Sequence, residues 1–126
     1  DTRVVSANVY FLQETMRLLG LKGPRIVLSS ELPKTKNLGR EERLVTMVKT
    51  LGGTVYVNLS GGRALYRAAA FNNAGISLQF VSSWFPAYPQ RSPTFLSHLS
   101  VLDFMLSSHE PQAEHSALQA FSLEEG

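Results

Sequence analysis

Apolar positions recur at helical spacing in four stretches and bunch into dense β-branched runs in three others. Over residues 8–20, Val9, Leu12, Met16 and Leu19 share one helical face, and Gly20 stands where a C-terminal cap belongs. Arg25 to Ser30 is a short apolar run that predicts a buried strand. Arg40 to Leu51 predicts a helix: Leu44, Val45, Val48 and Leu51 share a face, two acids fall in the first turn, and Gly52-Gly53 stops it. Thr54 to Leu59 predicts a second strand, Ala64 to Ala74 a helix closed by Gly75, and Ile76 to Val81 a third strand. Between them Ser60-Gly61-Gly62 is a tight connection, with Ser60 in an N-cap position.

Helices alternating with strands imply parallel pairing through right-handed crossovers. The expected fold class is therefore α/β: a small parallel sheet of at least three strands flanked by helices, a Rossmann-like layered sandwich. Trp84 to Pro93 holds three prolines and predicts an ordered loop; residues 31–39 form a polar one. Leu96 to Ser107 predicts a fourth helix, nearly all apolar apart from a stripe of Ser100, Asp103 and Ser107. Residues 110–126 have room for one more short helix before a frayed end.

A chain of 126 residues suits one domain with a core of its own. Its start at Asp1 rather than Met fits a piece of something longer. Without cysteine there are no disulfides, thiolate metal sites or cysteine nucleophile. No apolar run reaches the roughly 18–20 residues of a membrane span, and no basic-then-apolar leader opens the chain. A cytoplasmic protein is expected. Residues 1–91 carry all twelve basic side chains and five acidic ones, for +7; residues 92–126 carry five acids and no base, for −5. The basic front suits an anionic partner, or is balanced in space by the acidic tail. Its scattered cations lack the aromatic interleaving of a nucleic-acid binder, so none is expected.

A family resemblance emerges from motifs taken in order. They are Ser29-Ser30-Glu31-Leu32, Glu42-Arg43-Leu44-Val45, Leu51-Gly52-Gly53-Thr54-Val55-Tyr56 and Gly61-Gly62-x-x-x-Tyr66. Phe71-x-x-x-Gly75-Ile76-x-x-x-Phe80, Tyr88-Pro89-Gln90 and Phe95-x-x-x-Leu99-Ser100-Val101-Leu102-Asp103 follow. Together, over about residues 8–108, they resemble the WbqC-like family, and in particular its C-terminal half. The aromatic, proline-rich opening of that family's N-terminal half has no counterpart here. With the length, which suits a single α/β domain over residues 1–126, the resemblance implies the C-terminal part of a longer protein. It implies a setting in bacterial surface-polysaccharide (O-antigen) biosynthesis. It also implies a transferase that places glycine or a similar small acyl group on a sugar or sugar nucleotide.

Two places have residues suited to chemistry. Ser60, Gly61, Gly62 and Arg63 follow a predicted parallel strand and open a helix, where free amides, a hydroxyl and a guanidinium could hold an anion. Glycine could equally serve the tight turn itself. The spacing is neither a dinucleotide fingerprint nor a P-loop. Ser29, Ser30 and Glu31 would share that rim if the strands are neighbours; Lys34 and Lys36 are more simply solvated. The other place combines Asp103 with Tyr88 and Gln90. Either Asp103, with Tyr88, serves catalytically, as a general base or anchor that orients or deprotonates a hydroxyl or amine, or Asp103 is a carboxylate tying its helix to the Tyr88–Pro93 loop. Tyr88 and Gln90 suit a sugar; Trp84, Phe85, Tyr88 and Phe95 equally suit packing, or docking on another chain or a second copy. His98, His109 and His115 lack metal-ligand spacing, so no metal is expected, and no cofactor is implied.

Overall fold

The computed structural model describes the chain apart from residues 1, 34, 36, 85 and 108–119. It divides into two compact units: residues 27–83 with 121–126, and residues 1–26 with 84–120.

The first unit holds the sheet. Helix α2 (Arg40–Thr50) leads to strand β1 (Val55–Leu59), a 3-10 turn (Ser60–Leu65), helix α3 (Ala68–Asn72), strand β2 (Ser77–Ser83) and, from the chain's end, strand β3 (Phe121–Glu125). The strand order is β1-β2-β3. β1 and β2 are parallel, with Val57 opposite Gln79; β2 and β3 are antiparallel, with Val81 opposite Leu123. The sheet is thus mixed rather than wholly parallel, which corrects the expected topology. Arg25 to Ser30 is no strand. Its backbone is extended at Leu28 but finds no neighbour, and Ser29–Glu31 closes as a single turn through the Glu31 N–H on the Leu28 carbonyl. β propensity extends a backbone, whereas a strand exists only through its partner. The chain's end, expected to fray after a short helix, supplies the third strand, while residues 110–119, where that helix is expected, lie outside the described residues.

The core of this unit is Phe71, Ile76, Leu78 and Phe80, with Leu44, Val45 and Val48 of α2 and the rings of Tyr56 and Tyr66 packed on it. Tyr56 stacks on Phe71, and Tyr66 meets both edge-on. Alternation along β1 turns Tyr56 and Asn58 inward and leaves Val55, Val57 and Leu59 exposed. Gly52 and Gly75 adopt left-handed φ of 70° and 74° just after α2 and α3, where a side chain would be strained. The helix expected over 64–74 is shorter, because Tyr66 and Arg67 are extended and split it from the preceding 3-10 turn.

The second unit contains helix α1 (Thr2–Leu18) and helix α4 (Val101–Ser107). α1 starts six residues earlier than its periodicity predicts; Ser6 is accommodated by donating its hydroxyl to the Thr2 carbonyl. Leu19 is buried and Met16 half-buried, as the predicted face requires, whereas Leu12 is exposed. α4 begins at Val101 instead of Leu96. Leu96 is bound by Gln90, and His98 takes a φ of 60°, which no helix admits. Nor is α4 largely buried, as its composition predicts: Phe104 is buried, but Leu102 and Leu106 are exposed.

Candidate functional site

The predicted site residues fall into the two units. Tyr88, Gln90 and Asp103 meet in one; Ser30, Ser60, Gly61, Gly62 and Arg63 belong to the other.

In the loop unit, the Tyr88 hydroxyl donates to Oδ2 of Asp103 at 2.7 Å, and the Gln90 amide donates to the same oxygen at 3.3 Å. Gln90 also brackets Leu96, donating to its carbonyl at 2.9 Å and accepting its N–H at 2.8 Å. The Tyr88 ring lies edge-on to Phe95 and to Phe104, so aromatic packing fixes the phenol that reaches the carboxylate. Ser100 caps the start of α4, its hydroxyl taking the Leu102 N–H and its carbonyl the Asp103 N–H. Asp103 is therefore half-buried in the first turn, joined to the loop as the structural reading of this carboxylate requires. Burial, and then the Asp103 carboxylate, push the Tyr88 phenol above the ordinary tyrosine range. It stays a neutral donor across physiological pH. Among the described residues, no donor meets Oδ1 of Asp103. Trp84 and Phe95 are exposed beside this loop, while Phe85 lies outside the described residues.

In the sheet unit, Ser60 to Leu65 form the 3-10 turn that follows β1. Ser60 makes no capping bond; Asn58 instead accepts the Leu59 N–H at 2.8 Å. Neither Gly61 nor Gly62 has a positive φ. Gly62 is small because Asn58 approaches it: an added Cβ would lie 3.1 Å from the Asn58 amide nitrogen. Arg63 reaches β3, donating to the Glu125 carbonyl at 3.0 Å and to the Glu124 carboxylate at 2.7 Å. Its guanidinium carbon stands 4.6 Å from the centre of the Phe80 ring. The anion that this arginine meets is thus the chain's own, and here the acidic tail does meet the basic front. Ser30 lies exposed in the turn before α2. Lys34 and Lys36 lie outside the described residues, as do His109 and His115.

Two features escaped the sequence reading. Glu41 accepts the Arg67 backbone N–H at 2.7 Å and its guanidinium at 2.8 and 3.3 Å, fastening α2 to the start of α3. Hydrogen bonds from Arg67 hold the Glu41 carboxyl below its usual range. The second is Glu125, which takes bonds from Ser77 and Gln79 of β2. Both are pairings 26 or more residues apart in the chain, with no local spacing to reveal them. Among the described residues no cluster of three His, Cys, Asp or Glu side chains could hold a metal, and no helix is long and apolar enough to cross a membrane.

These features define a mixed α/β chain with an open three-stranded sheet and a separate polar cluster braced by aromatic rings. The profile of the WbqC-like protein family matches residues 1–115, most of the chain and α1 included. The chain belongs to the WbqC-like protein family. No curated protein and no solved structure matches it significantly.

Proposed function

We propose that the chain belongs to a cytoplasmic transferase that modifies a sugar or sugar nucleotide, with glycine or a similar small acyl group, in bacterial surface-polysaccharide (O-antigen) biosynthesis. Residues 1–126 stand in this reading for the C-terminal half of the family's longer proteins. Family membership supports the setting. The chemistry rests on one observation: the neutral Tyr88 hydroxyl binds Oδ2 of the half-buried Asp103 and fixes that carboxylate. In this reading Oδ1 accepts a hydrogen bond from the acceptor's hydroxyl or amine, orienting it and taking its proton as it attacks the carbonyl carbon of an activated acyl donor, whose leaving group departs as its bond to that carbon breaks. Tyr88 steadies the carboxylate, and Gln90 fixes the loop around it. A role for Ser30 and for Ser60, Gly61, Gly62 and Arg63 in holding the anionic part of the substrate would require Arg63 to exchange Glu124 for the ligand.

Thermal melting with nucleotide sugars, phosphate and glycine tests the reading. A ligand that binds only the folded chain stabilises it by about 2.7 kcal/mol at a hundredfold excess over its Kd. A rise in Tm with a nucleotide sugar that disappears in Asp103→Asn, with the circular dichroism unchanged, is the expected result. No shift with any of them overturns it. A second reading is favoured by the exposure of Trp84, Phe95, Leu96 and Leu99. There the aromatic loop is a docking surface, and the chain self-associates or binds another domain through Trp84–Phe95. Sedimentation of the wild type beside Trp84→Ala separates the two: a dimer abolished by the substitution supports docking.

A further inference from the structure

Helix α2 carries two arginines, Arg40 and Arg43, three residues apart and so on neighbouring positions of one helix face. A third arginine close by, Arg67, is already neutralised by Glu41. Arg40 and Arg43 form no ion pair among the described residues. They border a hollow of about 410 Å³ lined by Leu38, Arg40, Arg43, Leu44, Met47 and Tyr66. Among the described residues, that lining contains two guanidinium groups, a phenol, three apolar side chains and no acid. A second hollow of about 510 Å³ shares Arg40 and Tyr66 with it and is also lined by Glu41, Glu42 and Arg67. The common wall is firm, because Tyr66 is set edge-on against Tyr56 and Phe71 in the core.

Two like charges on adjacent helical positions repel one another. Water screens them at the surface, but an anion between them would relieve the repulsion directly. Guanidinium groups present paired N–H donors that match the oxygens of phosphate and carboxylate. Beside them Leu44, Met47 and the Tyr66 ring offer an apolar wall that free phosphate cannot use. A hollow of a few hundred Å³ is of the size that small ligands fill. We propose that this hollow is a binding site for a small organic anion, with its phosphate or carboxylate on Arg40 and Arg43 and its apolar or planar body against Tyr66. The site is built from the sheet unit's own residues, and the proposal stands whether or not Asp103 acts on a sugar.

The test is calorimetric or NMR titration of the whole chain with phenyl phosphate, benzoate and inorganic phosphate at constant ionic strength. Phenyl phosphate or benzoate is expected to bind at least tenfold more tightly than inorganic phosphate; the tighter of the two identifies the acid group. The double variant Arg40→Gln/Arg43→Gln changes exposed side chains and leaves the core intact. It should weaken binding at least tenfold, with the amide shifts of Tyr66 on titration lost. Lys49→Gln, at the far end of the same helix, should bind as the wild type does. No binding of either aromatic acid, equal binding by the double variant, or equal weakening by Lys49→Gln overturns the proposal.

Discussion

Each of the two units is held together internally by a different kind of interaction. In the sheet unit, the fully buried core is apolar: Phe71, Leu78 and Phe80 are essentially inaccessible, and charged groups lie at the rim, as in Arg63 to Glu124 and Arg67 to Glu41. In the loop unit, one carboxylate is the hub. Asp103 gathers Tyr88 and Gln90, and Gln90 in turn brackets Leu96, while Trp84, Phe95, Leu99 and Leu102 remain exposed. Hydrophobic burial is roughly additive and tolerant of detail, whereas a shared carboxylate depends on geometry. A framework set by apolar burial suits a scaffold; a loop set by a few directional bonds suits a surface that meets a ligand or partner.

Four perturbations should break or sharpen that contrast. Phe71→Ala empties the centre of the sheet unit and should cost about 3–5 kcal/mol, read as a fall in the urea midpoint of the circular-dichroism transition. Tyr88→Phe keeps the ring between Phe95 and Phe104 and deletes only the bond to Asp103. A loss of about 1–2 kcal/mol is expected, with the transition of Trp84, the sole tryptophan, moved more than that of the β-sheet signal. Equal movement of both would erase the distinction between the units.

Arg63→Ala removes an exposed ion pair and a cation above Phe80, with an expected loss of about 1 kcal/mol. Hydrogen exchange should locate it: the amides of Phe121–Glu125 exchange faster while those of Ser77–Ser83 stay protected. The smallest effect concerns acid. Arg67 lowers the Glu41 carboxyl in the folded chain, so this pair stabilises the fold above the ordinary glutamate range. That contribution is lost as the pH falls through the lowered value. Glu41→Gln should therefore flatten the acid side of the Tm–pH curve and leave the alkaline side unchanged.

Much of the sheet unit was legible before any coordinates. The β-branched runs at 54–59 and 76–81 are the parallel pair, shifted by a residue or two, and glycines end the helices where expected. These features are local: periodicity, propensity and a left-handed cap lie within a few residues of one another. The Tyr88, Gln90 and Asp103 cluster was partly legible too. A single carboxylate on an apolar stretch needs a partner, and the nearest polar aromatic loop was the natural source.

The chain's sequence by itself determined an α/β class, the β1–β2 crossover, and a carboxylate demanding hydrogen-bond donors, because each follows from short-range stereochemistry or from the cost of burying charge. Only the tertiary structure decided three other things. Arg25–Ser30 has no strand to pair with among the described residues; the acidic Phe121–Glu125 pairs instead, clasped by Arg63, Ser77 and Gln79; and Arg40 and Arg43 border one hollow with Leu44, Met47 and Tyr66. Strand pairing and charge pairing join residues far apart in the chain. Their free energy depends on which partners the rest of the fold leaves available, and no local pattern records that.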